Sequence, residues 1–233
     1  MEIKKKIKEQ ERIFKEYIKG ARYDPDITSI IEWLEKKQRD YKVKLSEVGL
    51  EELKSWVFDP KTGTVSHETG RFFSVIGVKI EGAKDREVSS WAQPMIKQKE
   101  CGILGILCQE KKGLRHYLLQ AKFEPGNTNK LQLSPTLQAT ESNLKQYHKG
   151  KKPLFSEYFE DSLNGKVIRE TISVEDGGRF YLKTNRNMII EINKKEQLNI
   201  PDNFIWLNLF QLKELINRDL YVNALVRSVI AGL

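Results

Sequence analysis

Two apolar stretches, Ile103 to Gln109 and His116 to Phe123, flank a turn at Lys111-Lys112-Gly113 and read as neighbouring strands. This pair restricts the chain more than any other feature, because it puts a sheet in the core. Phe72 to Ile80 alternates and is rich in β-branched residues, which predicts another strand. Further strands are expected near Val167 to Val174, Phe180 to Leu182, Met188 to Ile192 and Phe204 to Leu207.

Helical signals surround them. Ile3, Ile7, Phe14 and Tyr17 fall on a seam of alternating four- and three-residue steps, with Gln10 filling one slot, so an amphipathic helix is expected within residues 1–25. Its seam is expected to pack on the body or on a second subunit. Tyr23-Asp24-Pro25 breaks it, and Ser29 with Glu32 offers a capping box to a second helix carrying Ile30, Trp33 and Leu34 inward. Asp59-Pro60-Lys61-Thr62-Gly63 predicts a turn. Ser134 as cap and Pro135 in the first turn predict a helix running to about His148, ended by Gly150 to Pro153. Asn208 and Gln211 cap a helix ending near Asn217, and a last helix starts about Asn223. The mixture predicts a single α/β sandwich domain over residues 26–233 behind the N-terminal helix.

At 233 residues, 39% hydrophobic and 31% charged, the composition is that of a soluble globular protein with one sizeable core or two small ones. No apolar run approaches membrane-spanning length, and Met1 to Gly20 lacks the apolar stretch of a secretory signal, so a cytoplasmic protein with no membrane partner is expected. The spacing of Cys101 and Cys108 suits neither zinc nor redox chemistry, so both are read as buried free thiols. With three histidines and no Cys/His cluster, no transition-metal site is expected. A net charge of +8 asks for an anionic partner. Many of the lysines crowd the N-terminal helix and no nucleic-acid-binding signature accompanies them, so a phosphorylated small molecule fits at least as well as nucleic acid.

Polar residues gather most densely from Gln120 to Asn143: Gln120, Lys122, Glu124, Asn127, Thr128, Asn129, Gln132, Ser134, Thr136, Gln138, Thr140, Ser142 and Asn143. On a helix, Ser134, Gln138 and Ser142 would share one face. Such a face either meets water or lines a site, and composition leaves both readings open. Gly70-Arg71-Phe72-Phe73 and Gly178-Arg179-Phe180 with Asn185-Arg186-Asn187-Met188 set arginines beside aromatics, which suits a pyrophosphate and a stacked base, or simply strand-end arginines at the surface.

Taken together, several stretches resemble the NDP-hexose 2,3-dehydratase family of deoxysugar biosynthesis. They are Gly70 to Val75, Trp91-Ala92-Gln93-Pro94, Gln120-Ala121-Lys122 with Glu124-Pro125-Gly126-Asn127, Gln132 to Thr136 with Gln138-Ala139-Thr140 and Ser142-Asn143, Asn185 to Met188, and Trp206-Leu207 with Gln211-Leu212. The resemblance implies a Nudix-like α/β/α sandwich with a mixed sheet, with the helix after Ser134 in the place of the Nudix helix. That segment lacks the carboxylate cluster that holds magnesium in Nudix hydrolases, so neither a hard-cation site nor diphosphate hydrolysis is expected.

The implied substrate is a dTDP-linked 4-keto-6-deoxy sugar, which loses its C3 hydrogen and C2 hydroxyl through a C4 enolate with no cofactor. Such a reaction needs a base at C3, a donor to O4 and an acid for the leaving hydroxyl. The titratable candidates near the main motif are Lys122, Glu124, Tyr147 and His148. Of these, Glu124 or Tyr147 is expected to transfer the proton and Lys122 to polarise the carbonyl. Asn129, Gln132, Ser134, Thr136 and Gln138 are expected to hold sugar hydroxyls or the enolate oxygen, Arg71, Trp91, Arg179 and Arg186 the nucleotide, and Asn127, Ser142 and Asn187 to bind the substrate as well. A competing reading makes Trp91 a core residue. Two departures stand out. Family enzymes usually carry two tandem copies of this unit, so a homodimer is expected to rebuild the pair. Leu225 stands where the family tends to place an aspartate. A non-catalytic or differently acting nucleotide-sugar-binding protein of the same fold is the alternative.

Overall fold

The computed structural model describes residues 2–146, 151–160 and 164–233. Helices α1 (Glu2–Tyr23) and α2 (Thr28–Asp40) come first, then strands β1 (Trp56–Asp59), β2 (Thr64–His67), β3 (Ser74–Ile80) and β4 (Trp91–Lys97). Next are β5 (Gly102–Lys111), β6 (Leu114–Phe123), β7 (Leu131–Ser134), β8 (Leu137–Ala139), α3 (Glu141–Leu144) and α4 (Glu157–Glu160). The chain closes with β9 (Lys166–Val174), β10 (Phe180–Tyr181), β11 (Thr184–Glu191), β12 (Phe204–Asn208), α5 (Leu209–Ile216) and α6 (Ala224–Ile230).

β5 sends Leu104, Ile106 and Cys108 to one side and Leu107 to the other, all of them buried. A strand covered on both faces needs no polar alternation, hence its apolar sequence. Lys112 and Gly113, at φ 51° and 71°, turn the chain into β6; positive φ at both central residues matches the twist of a two-residue hairpin. β11 lies parallel to β5, β9 antiparallel to β11, and β12 antiparallel to β6, within a seven-stranded mixed sheet. Helices α1, α2, α5 and α6 cover one face. The other is covered by Phe155 and by Tyr158 and Phe159 of α4.

β5 and β6 pair only from Leu107 and Leu118 to the hairpin. Beyond that rung they part: Ile103 to Gly105 pair with β8, and Gln120 to Phe123 with β7. The segment β7–Pro135–Thr136–β8 is thus a wedge between two strands. Thr136 sits at its tip, where its buried hydroxyl accepts from Leu107 N (2.9 Å) and donates to the Leu118 carbonyl. Those backbone groups lose their ladder partners at the fork, and the hydroxyl replaces them. Thr136→Val should therefore destabilise the protein by about 1–3 kcal/mol, read from the urea midpoint at unchanged slope.

This wedge replaces the helix expected from Ser134. Among the described residues, only Glu141–Leu144 is helical there, and residues 147–150 lie outside the description. Leu131, Leu133, Leu137 and Ala139 are buried, whereas Gln132 and Gln138 are half-buried. That period of two, satisfied by strand pairing on both sides, overrides the four-residue polar steps, so Ser134, Gln138 and Ser142 share no helix face.

A second, five-stranded sheet runs β1-β2-β3-β4-β10, with β10 parallel to β4. The expected turn joins β1 to β2, where the Asp59 carboxylate accepts from Lys61 N (2.9 Å) and Thr62 Oγ1 (2.8 Å). At the N-terminus, α1 is rotated from the expected seam. Ile13, Tyr17 and Gly20 face the body, while Ile3, Ile7 and Phe14 are exposed. Gly20 sets this rotation, since a Cβ there would lie 2.6 Å from Asn208 Oδ1. For α2, the cap comes from Asp26, whose carboxylate accepts from Thr28 N and Ser29 N, in place of the expected Ser29–Glu32 box. Asn208 and Gln211 do form the reciprocal capping box of α5. Cys108 is buried, but Cys101, just before β5, is exposed.

Candidate active site

The fork between β5 and β6 opens a cavity of about 600 Å³. Lys122, on the diverging part of β6, donates to Gln138 Oε1 on β8 at 2.5 Å and lies 3.5 Å from Glu124 Oε1. The other carboxylate oxygen of Glu124 accepts from Asn223 Nδ2 at 2.9 Å. Asn223 is also the cap of α6, its Oδ1 accepting from Leu225 N at 2.8 Å. A helix cap thereby fixes the amide, and the amide fixes the carboxylate. Burial lowers the Lys122 ammonium from the ordinary lysine range, with the nearby Glu124 charge opposing the shift.

The facing wall comes from the start of β11. Asn185 is buried and donates to the Glu175 carboxylate. It fits because its register partner on β5 is Gly102, where a Cβ would lie 2.2 Å from Asn185 Oδ1. Lys183, also buried, donates to the Glu100 carbonyl, and burial lowers its ammonium too, opposed by Cys101, Glu100 and Glu175. Thr140 and Asn143 complete the rim, the Asn143 amide oxygen accepting from Thr140 N (3.0 Å) and Oγ1 (2.8 Å). A carboxylate with one oxygen pinned and the other beside an ammonium can take a proton next to a carbonyl held by that ammonium.

Of the residues expected from sequence, Lys122, Glu124 and Gln138 line this cavity. Tyr147 and His148 lie outside the described residues. Thr136 is the strap at the fork, and Ser134 is buried, donating to the Gln132 carbonyl. Gln132 reaches the Leu220 carbonyl, and Asn127 donates within its own loop to the Lys130 carbonyl at 3.2 Å. Asn129 is half-buried in that loop. Ser142 bonds the Glu100 carboxylate at 3.0 Å. Asn187 turns to the opposite side of β11 from Met188 and donates to Ser228 Oγ at 2.8 Å. Arg186 pairs with Glu170, and exposed Arg179 with Asp176. Trp91 and Arg71 line two further cavities, of about 600 Å³ and 570 Å³.

Glu175, Lys183, Asn185 and Asn223 were missed as site residues. Asn185 stands within a motif already singled out and Asn223 at the expected start of the last helix, so for these two a local signal existed. Lys183 and Glu175 join the site only through the parallel pairing of β11 with β5. A larger cavity, about 820 Å³, lies where β5 and β11 end and is lined by Glu110, Glu157, Glu191 and Glu196 against Lys166 and Lys194. Its excess of carboxylates repels an anionic ligand, and no residue of the Gln120–Asn143 motif reaches it.

The family model for NDP-hexose 2,3-dehydratase matches residues 27–233, beginning after α1. Over 199 residues the chain is 40% identical to a dTDP-4-dehydro-6-deoxy-alpha-D-glucopyranose 2,3-dehydratase of Saccharopolyspora spinosa, covering 85% of this chain and 40% of that one. It is 38% identical over 205 residues to the enzyme of the same name from Amycolatopsis orientalis, covering 86% and 43%. The chain thus spans less than half the length of these curated relatives. Among solved structures, it resembles the C. elegans Ap4A hydrolase at a TM-score of 0.37 and 12% identity, over 58% of this chain and 96% of that one. An ADP compounds hydrolase gives 0.38 and 13%, over 70% and 88%. With the motif residues Lys122, Glu124 and Gln138 on one cavity, and the match running from α2 to the C-terminus, the chain belongs to the NDP-hexose 2,3-dehydratase family.

Proposed function

We propose that the protein is a hydro-lyase acting on dTDP-4-keto-6-deoxyglucose, eliminating water across C2 and C3 in deoxysugar biosynthesis. The observation that carries this reading is the Lys122–Glu124–Asn223–Gln138 network on the cavity at the fork. With the C4 carbonyl oxygen on the Lys122 ammonium, the neighbouring C3–H faces Glu124. Its carboxylate takes the proton, and the C3–H electron pair becomes the enolate held by Lys122. Collapse of the enolate breaks the C2–O bond, hydroxide leaves with a proton as water, and the enol tautomerises to a 3,4-diketo sugar. No electrons are exchanged with a cofactor in this sequence. Mass spectrometry of the keto-sugar nucleotide incubated with the chain should show loss of one water. Binding of dTDP with no water lost would instead favour a nucleotide-sugar binder, the second reading.

Helices on one face of the mixed sheet and α4 on the other support a Nudix-like α/β/α unit over residues 26–233, with the helical segment 1–25 appended. A homodimer of this chain is part of the same reading, and light scattering at micromolar concentration should give twice the chain mass, a strict monomer counting against it. Action in the cytoplasm on a small nucleotide-linked sugar, with neither nucleic acid nor membrane as partner, belongs to the same reading. No described helix is long and apolar enough to cross a membrane.

A further inference from the structure

We propose that Lys183 is the diphosphate-binding cation of this site, with the nucleoside lying on the Trp91 side of it and the sugar on the Lys122–Glu124 side. The inference rests on the dehydratase reading and gives the substrate a direction across the protein. The cavity lined by Trp91, Arg86, Phe180 and Tyr181 shares Glu175, Phe180 and Lys183 with the cavity at the fork. Lys183 therefore stands in the partition between an aromatic chamber and the acid–base chamber. A nucleotide sugar has the same order of parts, with its charge between base and sugar.

The other cations near these chambers are already engaged. Lys122 is held by Gln138 and Glu124, Arg179 by Asp176 and Arg186 by Glu170, while exposed Arg86 lies over Trp91 and 3.9 Å from Glu87. The Lys183 ammonium has three donors and gives one to the Glu100 carbonyl; among the described residues it forms no ion pair. The Glu100 and Glu175 charges act on this ammonium from a distance, but among the described residues neither carboxylate bonds it, and a bound phosphate supplies acceptors for its two remaining donors.

The aromatic chamber is held in place for stacking. Trp91 Nε1 donates to Gln93 Oε1 at 2.8 Å, and Gln93 Nε2 donates to the Gly178 carbonyl at 2.6 Å. The Arg86 guanidinium lies 5.8 Å from the Trp91 ring centroid. A planar base meets a fixed indole there, a contact that needs no particular base edge. The cavity of Arg71, Lys97 and Lys99 is the rival cationic site, but it shares only Gln98 with the fork cavity.

Calorimetric titration of the full chain with dTDP and with thymidine tests this. Lys183→Met should weaken dTDP binding about 10–100-fold, the worth of one hydrogen bond to a charged group, and leave thymidine binding unchanged. Lys183→Arg should restore most of the dTDP affinity. If Lys183→Met melts early, Lys183→Gln carries the same expectation. Unchanged dTDP affinity, an equal loss for thymidine, or a loss in Arg71→Ala in place of the Lys183 variants would overturn the assignment. A wild-type chain that dehydrates the keto-sugar while Lys183→Met keeps full dTDP affinity sinks this inference alone. A wild-type chain that binds neither dTDP nor the keto-sugar sinks the dehydratase reading and this inference with it.

Discussion

Glu124→Gln should lower the rate of water loss about 100-fold or more, with dTDP affinity little changed. The amide keeps the shape of the carboxylate and can still bond Asn223, so the fork cavity survives while the proton acceptor is lost. Lys122→Met should cost a similar factor, about 100–1,000-fold, because a donor aimed at a developing oxyanion is worth more in the transition state than on the ketone. The two effects should not multiply, since Lys122 and Glu124 lie within one network. Full turnover in either variant would remove that residue from the chemistry.

Phe159→Ala should have the largest effect on stability, about 3–5 kcal/mol, seen as a fall in Tm of roughly 6–20 °C. Phe159 is 1% exposed and belongs to the thinner cover of the sheet, α4 with Phe155. Its ring occupies the place a side chain would take on β5 at Gly105, where a Cβ would lie 2.2 Å from it. A change below about 1 kcal/mol would mean the α4 face contributes little to the fold.

The central hairpin was legible in the sequence because a strand buried on both faces writes itself as a continuous apolar run. The cap at Asn208 and the helix start at Asn223 were legible for a similar reason: the bonds that fix them lie within three residues. The wedge was not. From Leu131 to Ser142 two periods compete, and strand pairing to β5 and β6, invisible locally, decides between them. The docking face of α1 depends on Gly20 meeting Asn208, far along the chain. Arg179 and Arg186 look available in the sequence, but their carboxylate partners come from local folding of the β9–β11 region. The cavity residues split the same way. Lys122, Glu124 and Gln138 come from one motif, whereas Lys183 and Glu175 reach it through a parallel strand pairing. Leu225, where the resemblance leads one to expect an aspartate, also lines the cavity.

The most direct measurement follows a single hydrogen. A keto-sugar nucleotide carrying deuterium at C3, incubated with the wild-type chain, should release that deuterium to solvent as water is eliminated. With Glu124→Gln, release should slow about 100-fold although the nucleotide still binds. Release at the wild-type rate from the glutamine variant would contradict the placement of C3 against Glu124 in the fork between β5 and β6.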